Sequence, residues 1–258
     1  MPVLSDLEPR EVFVWFERLC AIPHGSHHAK AISDYLVAFA RERGLACRQD
    51  AANNVVIRKA ASAGYENAPV VMLQGHIDMV CEKDADCGKD METEGLDLFV
   101  DGDVIGARGT TLGGDDGIAV AMALAVLDAD DIPHGPLECV FTADEEVGMI
   151  GARALDASDL KAKYLINIDS EEEGVLTVSC AGACRTLCTL PVTRAPFDGQ
   201  TLRVRISGLA GGHSGEEIHK GRANANLLLG RALDEMSRAG TLRLIRVSGG
   251  AKDNAIPR

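Results

Sequence analysis

Three apolar stretches of this sequence read as buried strands, and each ends in groups that bind cations. APVVMLQGHIDMV (68–80) opens with an almost continuous apolar run, as a strand covered on both faces does. LECVFTA (137–143) and YLINID (164–169) follow the same pattern. The first stretch runs into His76-Ile77-Asp78 and the second into Asp144-Glu145-Glu146. The third ends in Asp169, followed by Ser170 and Glu171 to Glu173. Between the first and second, TTLGGDDG introduces an Ala-rich helix over 115–128 that opens on Asp115 and Asp116. Strands alternating with helices predict an α/β fold with a mixed, mostly parallel sheet flanked by helices. In such sheets ligands gather beyond the carboxyl ends of the strands, where these side chains stand.

The rest of the chain fits around that sheet. Residues 9–21 carry Val12, Phe13, Phe16, Leu19 and Cys20 at helical spacing, and 28–43 repeat the pattern through Ile32, Tyr35, Leu36 and Phe39 until Gly44 stops it. VVIRKA (55–60) is a further strand, and the polar stretch 82–94 a solvated loop. PHGSHH (23–28) is a turn; His24, His27 and His28 in it read as exposed loop rather than as a metal site. After about residue 185 the texture changes. TLRVRISGL (201–209) and TLRLIRVSGG (241–250) alternate apolar and polar residues around a helix at 221–240. They predict a smaller α+β layer, so residues 1–190 are read as one domain and 191–258 as part of a second.

Composition excludes several classes. Lys and Arg number 26 against 39 Asp and Glu, a formal charge of -13, which argues against nucleic acid as a partner. The longest apolar run, 118–127, is short of the roughly 18 residues a membrane span needs. MPVLSDLEPR lacks the features of a signal peptide, so the expected location is cytoplasmic. The eight cysteines form no CxxC pair and are read as reduced thiols. Cys180, Cys184 and Cys188 recur every four residues but are read as small buried residues rather than ligands.

Each acidic motif has an ordinary explanation when taken singly. HxD pairs are common, an Asp-Glu-Glu run suits a helix start, Asp115 can cap its helix, and the 171–173 run suits a solvated surface. Their joint occurrence at successive strand ends is harder to explain that way. Carboxylates crowded at one sheet edge repel one another, and a divalent cation cancels the repulsion. Imidazole with carboxylates suits Zn²⁺, with Mn²⁺ or Co²⁺ as alternatives. Two such ions can clamp a hydrolytic water, and a spare carboxylate beside it can act as general base.

LQGHIDMV, TTLGGDDGIAVAMAL, FTADEEVGMIGA, NIDSEEEG, GLAGGHSGEEIHKGRANAN and the final NAIPR together resemble the aminoacyl-histidine dipeptidase (cytosolic non-specific dipeptidase) family of zinc exopeptidases. The resemblance implies a zinc-exopeptidase fold with a lid, and hydrolysis of small dipeptides by a homodimer joined through the lid. It implies that His76, Asp115, Glu146 and Asp169 hold two zinc ions, with Asp115 shared between them. Asp78 would orient His76, and Glu145 would be the general base. Asp116 falls where relatives often have Asn. His213, Asn254 and Arg258 would contact substrate, with His213 polarising the scissile carbonyl. The family's chain is much longer and supplies a last histidine ligand from a segment beyond the equivalent of Arg258, so the sequence is expected to be a fragment. An N-acyl-amino-acid amidohydrolase, or an incomplete fragment acting only as an association module, remain as alternative readings.

Overall fold

The structure is a computed structural model that describes residues 2–258 apart from Glu171, Glu172, Ala181, Ala183, Arg185, Glu216 and Asp253. The chain divides into two compact units, Met1–Ala181 and Gly182–Arg258.

In the first unit the elements run α1 (Arg10–Cys20), α2 (Lys30–Glu42), β1 (Ala46–Gln49), β2 (Val55–Lys59), β3 (Val71–His76), β4 (Leu98–Asp101), β5 (Val104–Ala107), α3 (Gly114–Asp128), β6 (Leu137–Thr142), α4 (Ile150–Ala154) and β7 (Tyr164–Asn167). Five strands form one sheet in the order β1-β2-β6-β3-β7. β1–β2 and β2–β6 are antiparallel; β6–β3 and β3–β7 are parallel. It is thus the mixed, helix-flanked sheet expected from the alternation of strands and helices.

Period-2 geometry sends the side chains of β2 and β6 to opposite faces. Val55, Ile57, Cys139 and Phe141 join the main core, which α1, α2 and α3 cover through Trp15, Phe16, Leu36, Phe39, Val120 and Leu124. Val56, Met72 and Val140 point the other way, against Leu155, Leu160 and Ala162. Burial on both faces is why β2 and β6 lack a polar alternation. β7, read as a third buried strand, is instead exposed along its length: it lies at the sheet edge, paired with β3, and among the described residues nothing covers it. The alanines of α3 let it approach closely: Ala119, Ala121, Ala123 and Ala125 are all buried.

β1 and the hairpin β4–β5 are additions to the sequence reading. ACRQ is too short and too polar to show a pattern. The hairpin does carry a signal, a Gly-Asp step in FVDGDVIG: Gly102, at φ 62, and Asp103 make the two-residue turn. The 82–94 loop is mostly exposed as expected, anchored by buried Met91.

The second unit differs from expectation. It contains α5 (Ala225–Ala239), preceded by a single 3-10 turn, Ile218–Lys220. The Asn224 side chain caps α5 by accepting from the backbone N–H of Asn226 and Leu227. The predicted strands at 201–209 and 241–250 form no ladder among the described residues. Alternation identifies a face, but a strand exists only when a partner pairs with it, and Leu202, Leu244 and Ile245 are instead exposed. Cys180, Cys184 and Cys188 are also exposed rather than buried, because the described residues around them form no element that could cover them. Their neighbours Ala181, Ala183 and Arg185, and Glu171 and Glu172 of the acidic run, lie outside the described residues. Among the described residues no helix is long and apolar enough to cross a membrane.

Candidate metal centre

β3 and β6 are parallel neighbours that finish level, with His76 opposite Thr142. The segments that leave them, 77–79 and 143–149, therefore start side by side. α3 supplies the third wall. Its N-terminal Gly113 has φ 71, a left-handed conformation that glycine adopts without strain, and a Cβ there would lie 2.8 Å from Met79 Sδ. Asp115 and Asp116, joined by a cis peptide, have non-helical dihedrals and turn towards β3. Gly75 permits the approach: a Cβ at that position would stand 2.7 Å from Asp116 Oδ2.

The side chains meet around His76, which is buried. Its Nδ1 donates to the backbone carbonyl of Asp78 at 2.9 Å, and its Nε2 lies 2.8 Å from Asp115 Oδ1. Its backbone N–H donates to Asp116 Oδ2 at 3.2 Å. Ligand atoms of His76, Asp115 and Glu146 all lie within 4.8 Å of one another, and so do those of His76, Asp116 and Asp169. The two groups share His76. Glu145 is half-buried beside them, and its backbone N–H donates to Asp78 Oδ1 at 2.9 Å.

The electrostatics follow from crowding. Burial would push His76 down, but hydrogen bonds to Asp78 and Asp115 outweigh it and raise the ring to about 10. Burial raises Asp116 to about 7, opposed by His76 and assisted by Asp169 and Asp115. Burial, with neighbouring carboxylates adding to it, also raises Glu145, Glu146 and Asp169. Asp78 moves the other way. Its burial is outweighed by hydrogen bonds from His76, the Glu145 N–H and Ser26, which hold it below the usual carboxylate range. An imidazole surrounded by carboxylates that resist ionising together is a donor set that suits a divalent cation.

The residues that the sequence singles out at the strand ends and the helix start, His76, Asp78, Asp115, Glu145, Glu146 and Asp169, come together in the first unit. His213, Asn254 and Arg258 lie in the second. Within that unit the GGHSG and NAIPR segments are adjacent: His213 bridges Ala255, Ser214 N–H donates to the Asn254 carbonyl at 2.9 Å, and Ile256 N–H donates to the Gly212 carbonyl at 2.8 Å. Glu217 Oε2 accepts the His213 N–H at 2.9 Å, and Arg258 lies against Gly211. Of the PHGSHH histidines, His24 is buried and hydrogen-bonded to the Ile22 carbonyl, while His27 and His28 are exposed. Buried His24 corrects the reading of that whole turn as exposed loop. Its backbone carbonyl accepts the Met79 N–H at 3.2 Å, which ties the turn to the segment after β3.

A family model for peptidase family M20/M25/M40 matches residues 72–243, which include every candidate ligand. The chain belongs to this peptidase family. This M20-family chain is 44% identical to the cytosol non-specific dipeptidase of Escherichia coli K12 over 260 aligned positions, covering 100% of this chain and 54% of the relative. It is 38% identical to the crystal structure of an aminoacylhistidine dipeptidase from Vibrio alginolyticus, with a TM-score of 0.70, covering 99% of this chain and 52% of that one. A tripeptidase from Staphylococcus aureus, 19% identical with a TM-score of 0.56, shares the fold. The chain spans about half the length of the first two relatives.

Proposed function

We propose that this M20-family chain carries the metal centre of a dipeptidase. The observation that carries the reading is the convergence of His76 with Asp115 and Glu146 on one side and with Asp116 and Asp169 on the other. His76, Asp115, Glu146 and Asp169 would hold the metal, zinc being the ion whose usual donors these are, with Asp116 behind them. When bound, such ions supply Lewis acidity and a water acidic enough to attack at neutral pH. Asp78 fixes the ring of His76 from its Nδ1 side. Glu145 takes a proton from the attacking water on a carboxylate oxygen and returns it to the departing amine nitrogen. Its partial burial and its raised pKa suit a group that must both accept and release that proton.

Similarity to the cytosol non-specific dipeptidase of Escherichia coli and the aminoacylhistidine dipeptidase of Vibrio alginolyticus supports dipeptides as the substrate class, aminoacyl-histidine dipeptides among them, and a cytosolic setting. His213, Asn254 and Arg258 are proposed as substrate contacts on the motif match, and a homodimer joined through the second unit is part of the same reading. The test is a zinc-loaded chain assayed against Xaa-His dipeptides and N-acyl amino acids. Dipeptide hydrolysis supports the proposal; cleavage of N-acyl amino acids alone would move it to the amidohydrolase reading. Glu145→Ala should keep its zinc and lose turnover by about 100-fold or more, the scale of a general base. Undiminished turnover in that variant removes the base assignment.

A further inference from the structure

The turn between α1 and α2 reaches into the acidic cluster. Ser26, in PHGSHH, donates its hydroxyl to Asp78 Oδ2 at 2.8 Å. The same turn is stitched to the segment after β3. Gly25 and Met79 form a parallel bridge, Ser26 N–H donates to the Met79 carbonyl at 3.3 Å, and Met79 N–H donates to the His24 carbonyl at 3.2 Å. Beside it, the His27 N–H donates to Asp144 Oδ1 at 2.6 Å. One short turn therefore grips the two segments that leave β3 and β6.

Asp78 is where these ties meet. Its Oδ1 accepts the Glu145 N–H at 2.9 Å and lies 3.4 Å from His76 Nδ1; its Oδ2 accepts the Ser26 hydroxyl and, at 3.4 Å, the Glu146 N–H. The plane of this carboxylate decides where the Glu145–Glu146 backbone sits, beside the His76 ring whose Nδ1 donates to the Asp78 backbone carbonyl at 2.9 Å. On Oδ2 the Ser26 hydroxyl is the short contact and the Glu146 N–H a long one, so the hydroxyl on Oδ2 and the Glu145 N–H on Oδ1 together fix that plane.

We infer that Ser26 is a positioning residue of the metal centre, whose hydroxyl locks the Asp78 carboxylate and, through its bond from the Glu145 N–H, the loop that brings the Glu146 carboxylate towards His76 Nε2. This rests on the metal reading given above. The turn's own backbone bonds do not involve the hydroxyl, so removing it leaves the turn tied in place. The inference thus separates the hydroxyl from the fold around it.

The experiment uses the 258-residue chain as wild type, Ser26→Ala and Ser26→Thr. Zinc affinity is measured by competition with a chromogenic chelator, and Tm on the metal-free forms. Ser26→Ala should weaken zinc binding about 10-fold or more, the usual scale for partners that orient a ligating histidine. Ser26→Thr, which keeps the hydroxyl, should restore most of it. The metal-free Tm of Ser26→Ala should stay within about 2 °C of wild type. Unchanged affinity in Ser26→Ala overturns the inference. So does a loss that Ser26→Thr shares, or one that a matching fall in metal-free Tm accounts for. A wild-type chain that binds no zinc removes the metal reading and this inference together, an outcome distinct from a zinc-binding wild type indifferent to Ser26.

Discussion

Asp116 is enclosed by β3 and the first turn of α3, with Asp115 and Asp169 nearby, and His76 alone favours its charge. Held at about 7, it keeps its proton in the folded chain while the unfolded chain has lost it above about 4. The folded state then binds more protons than the unfolded one, so stability falls as pH rises from about 4 to 7. His76, raised to about 10, stabilises the fold fully below its ordinary 6.5 and loses that contribution as pH climbs through 10. The two effects share a sign. The metal-free chain should therefore show a Tm several degrees lower at pH 8 than at pH 5.5, and saturating zinc should flatten the profile by binding the ionised form. A metal-free profile that rises over this interval would contradict the account. Most of these residues are legible in the sequence because each sits at the end of an apolar run. Ser26 is not: 52 positions separate it from Asp78, and only the sheet brings them together. Asp116 shows the same limit. A DD pair is visible, but which member turns inward depends on Gly75 lacking a side chain.

At the level of elements, two buried polar side chains hold the sheet and its loops in place. Glu138 on β6 pairs with Arg58 on β2 at 3.1 Å and accepts the N–H groups of Lys161 and Ala162 at 2.9 and 3.0 Å. Its burial is outweighed by those bonds, which hold its carboxyl below the usual range. That contribution is present above about pH 4.5 and lost as pH falls through the depressed value. Glu138→Ala leaves two N–H groups without their acceptor and Arg58 with Asp159 as its remaining carboxylate partner, and should cost about 2 kcal/mol in urea unfolding at pH 7, with the deficit shrinking in acid. Asn54, 1% exposed, spans the loop that carries Glu145 and Glu146. It accepts the Ala143 N–H at 3.0 Å and donates to the Gly151 carbonyl at 2.8 Å. Asn54→Ala should lower stability by about 2 kcal/mol, read the same way, because it leaves both backbone groups buried without that partner. The elements themselves are largely visible in the sequence: α1 and α2 match the helical periodicity, α3 the Ala-rich stretch, and β2, β3, β6 and β7 the apolar runs, though β7 is exposed rather than buried. β1 was hidden because four mixed residues show no period. The reach of Glu138 and Asn54 across the sheet was hidden because sequence spacing does not encode it.

Across the whole molecule the two units differ in how their backbones are satisfied. In Met1–Ala181 the ladders of the sheet and the helices on its main-core face tie up the central N–H groups. In Gly182–Arg258 the described residues outside α5 and the 3-10 turn carry few such bonds. Hydrogen exchange should therefore find β2, β3, β6 and α3 among the slowest amides, and 201–209 with 241–250 exchanged at the shortest labelling times. Protection in those two segments equal to that of β6 would mean a ladder had formed there. This is also where sequence reading went furthest astray. Alternation predicted two strands, but pairing depends on a neighbour that a pattern within one segment cannot report.

β3 and β6 end level, His76 beside Thr142, and this restricts which length changes the chain can survive. A residue inserted or deleted within either strand would turn one set of side chains to the wrong face and raise or lower one ligand loop by a step of about 3.3 Å against the other. The connections at the opposite ends of these strands, 60–70 and 129–136, carry no such constraint. A library of single-residue insertions and deletions should thus split by position: variants within 71–79 and 137–146 lost from a zinc-binding selection, variants within the two distal connections retained. The sheet acts as a common baseline, and tolerance to changes in length is set by which end of it a residue occupies.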